Sequence, residues 1–263
     1  MPRSIWRMRE IPAMVETKAT AKHIGSPRKG SYGFDAPYLL PVLGILLLLN
    51  VGNGVISRTA WPFIGAVAIL ACAACGLYTS RHGKFEVWAE ALQQLTLRGD
   101  ERILDLGCGR GAVLHLAAGH LTTGRAVGVD IWKRTDQSGN EAEATRRNAV
   151  AEGVADRVEI RTADMTELPF EDGSFDLVLS NVAVHNVKGR AGRCRALEEA
   201  ARVLRPGGRL LIADLWATRL YQQHLAKLGM TEISRRNLGW RMWWTGPWLA
   251  TWLVSATKPA LSD

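Results

Sequence analysis

The chain has 263 residues, a formal net charge of +8 and only four cysteines. This length suits one full domain with an additional segment, or two small domains. A content of 47% hydrophobic and 22% charged residues is typical of globular proteins and excludes a wholly disordered or collagen-like chain. Four scattered cysteines are too few for a disulfide scaffold.

The excess positive charge is concentrated at the N-terminus. Residues 1–36 contain seven basic and three acidic residues, whereas residues 37–80 contain Arg58 as their single charge. Because this excess precedes an almost uncharged stretch and does not mark one face of a folded domain, we expect no nucleic-acid partner. Segment 1–36 lacks clear periodicity, which predicts a mostly disordered arm able to rest on anionic lipid headgroups.

Two apolar runs fill residues 37–80, at about 38–56 and 61–78. Each run is about 18–20 residues long, which is enough to cross the hydrocarbon core of a bilayer. Basic residues flank the outer ends of the pair, which predicts an integral membrane protein with both termini in the cytoplasm. The alternative is a buried helical hairpin of a soluble protein, which Asn50 and Asn53 in the first run would favour.

From residue 81 onward, short apolar strands alternate with helices. This alternation predicts an α/β fold in which a parallel sheet carries helices on both faces. Such sheets bind ligands at the carboxyl ends of their strands. The predicted strands are 102–106, 125–131, 157–162, 175–180 and 209–214, and the predicted helices are 113–120, 141–152 and 191–204.

A glycine-rich turn, Asp105-Leu106-Gly107-Cys108-Gly109-Arg110-Gly111-Ala112, follows the first predicted strand. Glycines at this place allow the backbone to approach a ligand closely. The spacing also fits a dinucleotide-binding fingerprint. However, a carboxylate two residues before the first glycine would repel a pyrophosphate and attract a cationic amino group. Asp105 therefore favours a ligand with an ammonium group, such as S-adenosylmethionine.

Acidic residues also end the next two predicted strands. Asp130 ends the second strand, where a carboxylate can accept hydrogen bonds from ribose hydroxyls. Asp164 follows the third strand, where a carboxylate can accept a hydrogen bond from an adenine amino group, with Met165 against the ring. Each aspartate alone could be a turn or cap residue. Three acidic residues at three successive strand ends are unexpected in a purely structural arrangement.

The motifs DLGCGRG, GVDIW, ADMTELPF…DGSFDLVLSN and LRPGGRLLIAD together resemble those of the class I S-adenosylmethionine-dependent methyltransferases. The resemblance covers about residues 84–257, and it is strongest to small-molecule methyltransferases of the quinone-biosynthesis kind. It implies a Rossmann-like seven-stranded sheet whose last two strands form an antiparallel hairpin. Residues 231–238 and 248–258 are the candidates for these two strands.

The resemblance also implies S-adenosyl-L-methionine as the cofactor and assigns its site. Asp105 and the Gly107–Gly111 turn would hold the methionine part, Asp130 the ribose and Asp164 the adenine. Asn181 would lie near the sulfonium. The candidate cofactor-binding residues are Asp105, Gly107, Cys108, Gly109, Gly111, Asp130, Ile131, Asp164, Met165 and Asn181.

Candidate catalytic residues follow the fourth and fifth predicted strands. His185 titrates near neutrality and could act as a base if the acceptor holds a proton, although a structural role is an equal alternative. Asn186 and Asp214 complete the candidate catalytic set, and no metal site is predicted.

Two further segments depart from a minimal domain. The loop after Asp130 is several residues longer than usual, so Trp132 could stack near the adenine and Gln137 could reach the cofactor, unless the loop is only an elaborated turn. The tryptophan-rich segment 240–252 admits three interpretations. It could form an apolar wall over the acceptor, seat the domain on a bilayer or pack the strand hairpin.

Together these features predict a membrane-anchored methyltransferase with a cytoplasmic catalytic domain at residues 81–263. It would transfer a methyl group by in-line displacement to a small lipophilic acceptor. The alternatives are a soluble amine or heteroaromatic acceptor, a non-catalytic membrane protein that binds the cofactor, and a nicotinamide-dependent oxidoreductase. The methylated atom and the oligomeric state stay open.

Overall fold

The structure is a computed structural model that describes residues 28–260. Most of the predicted arm, residues 1–27, lies outside the described residues. Seven strands and seven α-helices make up the described part of the chain. The strands are β1 (Arg102–Leu106), β2 (Arg125–Asp130), β3 (Val158–Thr162), β4 (Phe175–Asn181), β5 (Leu204–Asp214), β6 (Thr231–Asn237) and β7 (Trp252–Thr257). The helices are α1 (Leu39–Ser57), α2 (Trp61–Tyr78), α3 (Lys84–Gln94), α4 (Ala112–Ala118), α5 (Ala142–Glu152), α6 (Gly189–Val203) and α7 (Thr218–Lys227).

All seven strands belong to one sheet with the order β3-β2-β1-β4-β5-β7-β6. Strands β1 to β5 are parallel, whereas β7 runs antiparallel to both β5 and β6. The predicted seven-stranded sheet with a final antiparallel hairpin is therefore confirmed. Strand β5 begins at Leu204, earlier than predicted, because Leu204 pairs with Phe175 before a register shift.

Helices cover both faces of the sheet, as the α/β pattern predicts. Alternate residues of β1 point to opposite faces, so Ile103 packs in the core beneath α3 and α4 while Leu104 packs beneath α6 and α7. Strands buried on both faces explain why the predicted strands are almost continuously apolar. Because β1, β2 and β4 are parallel, their carboxyl ends meet at one edge of the sheet.

The two apolar runs form the helical hairpin α1–α2, and both helices are long and apolar enough to cross a membrane. Their large side chains face outward: Leu48 is 72% exposed, Ile56 85% and Val67 66%. The alternative of a buried helical hairpin therefore does not describe this structure. No comparable outward apolar surface is expected of an ordinary water-soluble domain.

Helix α2 matches the second apolar run, but the helical path of the chain does not break at residues 80–81, where the catalytic domain was predicted to begin. It continues through a π-helical turn, Thr79–Gly83, directly into α3. The turn is fixed to the C-terminal segment, since Thr79 Oγ1 donates a hydrogen bond to the Trp243 carbonyl at 2.6 Å. At Gly83, an added Cβ would lie 1.8 Å from the Arg241 carbonyl oxygen. This close approach explains the glycine and joins the helical hairpin rigidly to the domain.

Residues 28–38, hereafter the strap, lie against the domain just before α1. Tyr32 is buried and donates a hydrogen bond to Glu152 Oε1 at 3.1 Å. Asn148 Oδ1 accepts the Ser31 N–H at 2.8 Å, and its amide returns a bond to the Ser31 carbonyl at 3.0 Å. The expectation of disorder in the arm is therefore wrong for residues 28–36. Their backbone groups find partners on the domain surface.

The strap also pairs with the long loop that follows β2. The Ala36 N–H donates to the Asp136 carbonyl at 3.0 Å, and Asp35 and Gln137 form an antiparallel bridge. The Ser138 N–H in turn donates to the Phe34 carbonyl at 3.0 Å. The extra length of this loop thus supplies a pairing surface for the strap.

Replacing Gly83 with alanine tests how firmly the helical hairpin is joined to the domain. We expect Gly83→Ala to lower the thermal midpoint in detergent by about 3 °C or more, because overpacking of this kind costs about 1–3 kcal/mol. Gly44→Ala is the matched control, since no atom lies within 4 Å of a Cβ built there. Equal midpoints for the two variants would contradict the close packing at Gly83.

Candidate functional site

A cavity of about 570 Å³ lies at the carboxyl ends of β1, β2 and β4. All predicted cofactor-binding residues except Gly111 line it, and so do His185 and Asn186. Gly111 instead precedes α4, in the left-handed conformation at φ +84°. Asp214 does not line the cavity either, and it is fully buried behind it. Asp105, Gly107, Cys108, Gly109, Asp130, Ile131, Asp164, Met165 and Asn181 line the cavity together.

Asp105 is the most unusual charge of the site. Its side chain is 1% exposed, and neither carboxylate oxygen has a hydrogen-bond partner among residues 28–260. Burial, together with the nearby charge of Asp130, raises the pKa of Asp105 to about 7. An unpaired buried carboxylate is costly, so this group is suited to a cationic ligand that restores its missing partner. The ammonium group of S-adenosylmethionine fits this requirement.

The glycine turn gives a ligand access to the backbone. Gly107 and Gly109 have φ values of +69° and +50°, which glycine adopts without strain. A Cβ at Gly107 would lie 2.3 Å from the Cβ of Ala183, and one at Gly109 would lie 2.5 Å from Gln137 Oε1. Side chains at these two positions would therefore fill the space beside the cavity.

Asp130 is held in place from two sides. Its Oδ2 accepts the Gly109 N–H at 2.9 Å, and its Oδ1 accepts the Trp132 N–H at 2.6 Å. Burial raises the pKa of Asp130, whereas these hydrogen bonds oppose the shift. The carboxylate retains lone pairs on the cavity side, as a ribose-binding residue requires.

Asp164 and Asn181, the predicted adenine and sulfonium contacts, also line the cavity. Asp164 Oδ1 accepts the N–H and the hydroxyl of Thr166, each at 2.8 Å, which leaves Oδ2 for a ligand. Asn181 Oδ1 accepts the indole N–H of Trp88 at 2.8 Å. This bond fixes the side-chain orientation and leaves the amide nitrogen of Asn181 as a donor.

The long loop contributes differently from expectation. Trp132 does not line the cavity, and its indole N–H donates to Thr162 Oγ1 at 2.8 Å. Gln137 does line it, with Oε1 accepting the Arg110 N–H at 2.8 Å and Nε2 donating to Asp35 Oδ1 at 2.9 Å. Gln137 thus connects the glycine turn to the strap.

Among the cavity-lining residues that sequence reasoning missed is a buried charged pair, Asp35 and Lys84. The Lys84 ammonium, whose side chain is 1% exposed, lies 2.6 Å from Asp35 Oδ2. Ser80 also donates to this oxygen, at 3.3 Å. Lys84 stands beside other basic residues in the segment SRHGKFE, so no local pattern distinguishes it or Asp35.

His185 and Asp214 form a hydrogen-bonded pair beside the cavity. His185 Nδ1 lies 2.5 Å from Asp214 Oδ1, and the His185 backbone N–H donates to Asp214 Oδ2 at 2.9 Å. Tyr221 donates to the same Oδ2 at 3.0 Å, and burial beside this carboxylate raises the pKa of Tyr221. Because a carboxylate only accepts, Nδ1 carries the hydrogen and Nε2 is the basic nitrogen. Trp216 packs edge-on against the imidazole at 5.3 Å.

The tryptophan-rich segment is divided between the cavity and the protein surface. Trp244 and Leu249 line the cavity, and Trp244 is 4% exposed with its indole N–H on Thr251 Oγ1 at 3.0 Å. Trp240 and Trp248 point outward and are 60% and 73% exposed. The segment therefore supplies both an apolar wall and an exposed aromatic surface.

Part of this chain is similar to known proteins. A family model described as "Methyltransferase domain" matches residues 104–212. Over 134 residues the chain is 35% identical to a demethylmenaquinone methyltransferase of Symbiobacterium thermophilum, covering 50% of each chain. It is 36% identical over 123 residues to a 27-O-demethylrifamycin SV methyltransferase of Amycolatopsis mediterranei, covering 46% of this chain and 40% of that protein. The chain thus spans half or less of the length of these relatives.

Solved structures agree on the fold. Geranyl diphosphate C-methyltransferase from Streptomyces coelicolor, crystallised with Mg²⁺, geranyl diphosphate and S-adenosyl-L-homocysteine, superposes with a TM-score of 0.53 at 18% identity. The match covers 68% of this chain and 81% of that structure. The sheet order, the cavity with its unpaired Asp105 and the matched residues 104–212 agree with one another. Residues 104–212 therefore match a methyltransferase domain, in a sheet with the fold of the S-adenosylmethionine-dependent methyltransferases.

Proposed function

We propose that the protein is a membrane-anchored methyltransferase whose acceptor is a small lipophilic molecule. The observation that carries this proposal is the composition of the cavity. Besides the polar cofactor residues, its lining includes the apolar groups Leu39 of α1, Trp244 and Leu249. A helix with an exposed apolar surface thus begins at the wall of the reaction cavity.

Three features support anchoring of α1–α2 in a bilayer. Both helices are sufficiently long and apolar, and their large side chains are exposed. Trp61, 80% exposed, begins α2, where aromatic rings favour the membrane interface. Arg28, Lys29 and Arg81 flank the outer ends, whereas Arg58 is the one charge of the connecting loop. This asymmetry favours a cytoplasmic location for the domain and both termini.

Three aspartates of the cavity would each contact a different part of the cofactor. Asp105 would pair with the ammonium group of S-adenosylmethionine, Asp130 with the ribose hydroxyls and Asp164 with the adenine amino group. When bound, the cofactor supplies a methyl group on a sulfonium, activated for in-line displacement. The enclosed cavity excludes water and orients the acceptor, and Asn181 donates a hydrogen bond at the cavity wall.

His185 provides a proton acceptor on the acceptor side of the cavity. Asp214 lies against Nδ1 and would leave Nε2 of a neutral imidazole available as the base, which makes Asp214 a positioning residue that acts through His185. An acceptor such as a phenol would transfer its proton to Nε2 as its oxygen attacks the methyl carbon. Asn186 lines the same part of the cavity and can orient a polar group of the acceptor.

A partition experiment tests the acceptor class. Purified full-length protein in mild detergent would receive S-adenosylmethionine labelled on the methyl group, together with a total extract of its host. We expect labelled product in the organic phase. Label confined to the aqueous phase would reject the lipophilic acceptor and favour a soluble amine or heteroaromatic nitrogen. Cofactor binding without transfer to any fraction would support a non-catalytic protein.

The ionisation of Asp105 predicts a pH dependence of cofactor affinity. A cationic ligand requires the ionised carboxylate, so affinity should fall as pH falls below the raised pKa of about 7. The loss approaches tenfold per pH unit below that value. Calorimetry between pH 5.5 and 7 would measure this slope, and Asp105→Asn should bind weakly with no comparable slope. A pH-independent affinity in the unsubstituted protein would contradict the role of Asp105.

Because Asp35 of the strap lines the cavity, we expect it to contribute to cofactor affinity. Asp35→Asn keeps the shape of the side chain but leaves the buried Lys84 ammonium without its counter-charge. We expect the dissociation constant for S-adenosylmethionine to rise about fivefold or more. Lys29→Ala is the control within the strap, because Lys29 is exposed and its hydrogen bond to Glu152 uses the backbone N–H. Equal effects of both substitutions would show that strap attachment alone matters.

Because His185 is placed to accept a proton, we expect its replacement to slow methyl transfer without changing cofactor affinity. His185→Gln retains a polar side chain of similar size but removes the basic nitrogen. If the acceptor loses a proton during transfer, kcat should fall by about 10²–10⁴-fold, while the dissociation constant for S-adenosylmethionine stays the same. Single-turnover rates and equilibrium binding would measure the two effects. An unchanged rate would rule out His185 as the base.

A further inference from the structure

The tryptophan-rich segment 240–252 connects β6 to β7 at the edge of the sheet that carries the cavity. Three of its backbone carbonyl groups lie against α2 or the turn that follows α2. The contacting pairs are Arg241 with Gly83, Trp243 with Thr79, and Trp244 with Gly76. From the first pair to the last, the contact point moves about 10 Å along the helix. The segment therefore advances along α2 toward the middle of the second apolar run.

The turn at the far end of this segment, residues 245–249, is hereafter the tryptophan tip. It is closed by the Trp244 N–H, which donates to the Leu249 carbonyl at 3.1 Å. Because Trp244 already lies against Gly76, the tip stands at the level of the second apolar run. Residues 242–257 contain no aspartate, glutamate, lysine or arginine. The tip could therefore enter a lipid layer without the cost of desolvating a charged side chain of its own.

Trp248 is an exposed aromatic side chain that is held in one orientation. It is 73% exposed, and its indole N–H donates to Thr245 Oγ1 at 3.0 Å. Gly246, at φ +138°, gives the ring room, since a Cβ there would lie 2.7 Å from Trp248 Cη2. A side chain already ordered loses little conformational entropy on binding. Packing of the strand hairpin does not explain such an exposed indole, whereas the membrane interface favours it.

An aromatic pair and a charged pair follow one another at the end of α2. Trp240 stacks on Tyr78, the last residue of α2, with ring centroids 5.1 Å apart. Next to it, Arg241 Nη1 lies 2.6 Å from Glu90 Oε1 of α3. The order is thus an apolar helix, then aromatic rings, then charged side chains. The same order is typical of a membrane–water interface.

We propose that the tryptophan tip inserts into the headgroup layer of a lipid bilayer beside α2, with Trp248 as its main anchoring side chain. The inference rests on the proposed anchoring of α1–α2 and goes beyond it. The domain is seated on the lipid surface at a fixed face, in addition to being tethered by the helical hairpin. Leu249, the neighbour of Trp248, lines the cavity, so this wall of the cavity would stand at the membrane surface.

Photo-crosslinking of the unsubstituted protein tests the lipid contact directly. Full-length protein would be reconstituted in phosphatidylcholine vesicles that contain a phosphatidylcholine with a diazirine next to its headgroup. After irradiation, mass spectrometry would locate the cross-linked residues. We expect cross-links on α1–α2 and on residues 245–249. Residues 228–230 lead into β6 at the opposite edge of the sheet and should carry none.

Two substitutions place the same carboxylate at an exposed apolar position, Trp248→Asp in the tip and Leu228→Asp at the opposite edge. We expect Trp248→Asp to lower lipid cross-linking of residues 245–249 about fivefold or more, because a charge is unfavourable near hydrocarbon. Cross-linking of α1–α2 should not change, and Leu228→Asp should change neither. Equal dissociation constants for S-adenosylmethionine in both variants would verify that the domain is folded. Undiminished cross-linking of the tip in Trp248→Asp would reject Trp248 as the anchor.

The pattern of cross-links separates this inference from the proposed function. Cross-links on α1–α2 without any on residues 245–249 would retain the membrane anchor and overturn insertion of the tip. Absence of cross-links from both would reject the anchor itself.

A second copy of the chain is the other possible partner of the exposed indole. In that case, light scattering in detergent would show a dimer that Trp248→Asp dissociates, and residues 245–249 would carry no lipid cross-link. Such a result would overturn the bilayer as the partner of the tip.

Discussion

The buried carboxylate of Asp105 is the constraint on which the site depends. It lies at the end of a strand that is covered on both faces, where no described side chain pairs with it. Such a group destabilises the ligand-free fold whenever it is ionised, and its raised pKa of about 7 expresses this cost. The domain can fold with this buried charge because its extensive apolar core, which includes Ile103 and Ala213, stabilises the sheet. A bound cationic ligand removes the electrostatic cost of ionising Asp105, and this contributes to its affinity. The carboxylate that destabilises the ligand-free domain therefore also selects a cationic cofactor.

A second set of contacts ties this charged centre to the helical hairpin. Helix α2 passes into α3 without a break, and α3 carries Lys84 to the cavity. Lys84 holds Asp35 of the strap, which in turn orients Gln137 against the glycine turn. Buried ion pairs of this kind contribute little net stability, but loss of one partner is costly. These contacts therefore favour one relative arrangement of the strap, α3 and the glycine turn.

Much of this architecture could be predicted because its signals are local. Glycines before a helix, aspartates at strand ends and apolar runs between charged loops each depend on a few neighbouring residues. The final strand hairpin and the cofactor assignments came from resemblance, and the sheet topology agrees with that resemblance. Asp35 and Lys84 could not be found in this way, because their pairing joins residues 49 positions apart. Asp214 was expected to act directly, yet it is buried behind His185, since only the three-dimensional packing decides which end of a hydrogen-bonded pair faces the cavity.

The strap determines where the cavity lies relative to helices α1 and α2. Residues 28–38 have no core of their own, and they are ordered by bonds to Asn148, Ser138 and Glu152 on the domain surface. Helix α1 starts immediately after them, so the same bonds that close the cofactor side of the cavity also fix where the apolar hairpin begins. Leu39 consequently lies at the wall of the cavity. If α1–α2 lies in a bilayer, the reacting methyl group is held within a short distance of the membrane surface. A lipophilic acceptor then needs to travel only a short distance to reach Leu39, Trp244 and Leu249, the apolar groups of the cavity wall that favour its burial.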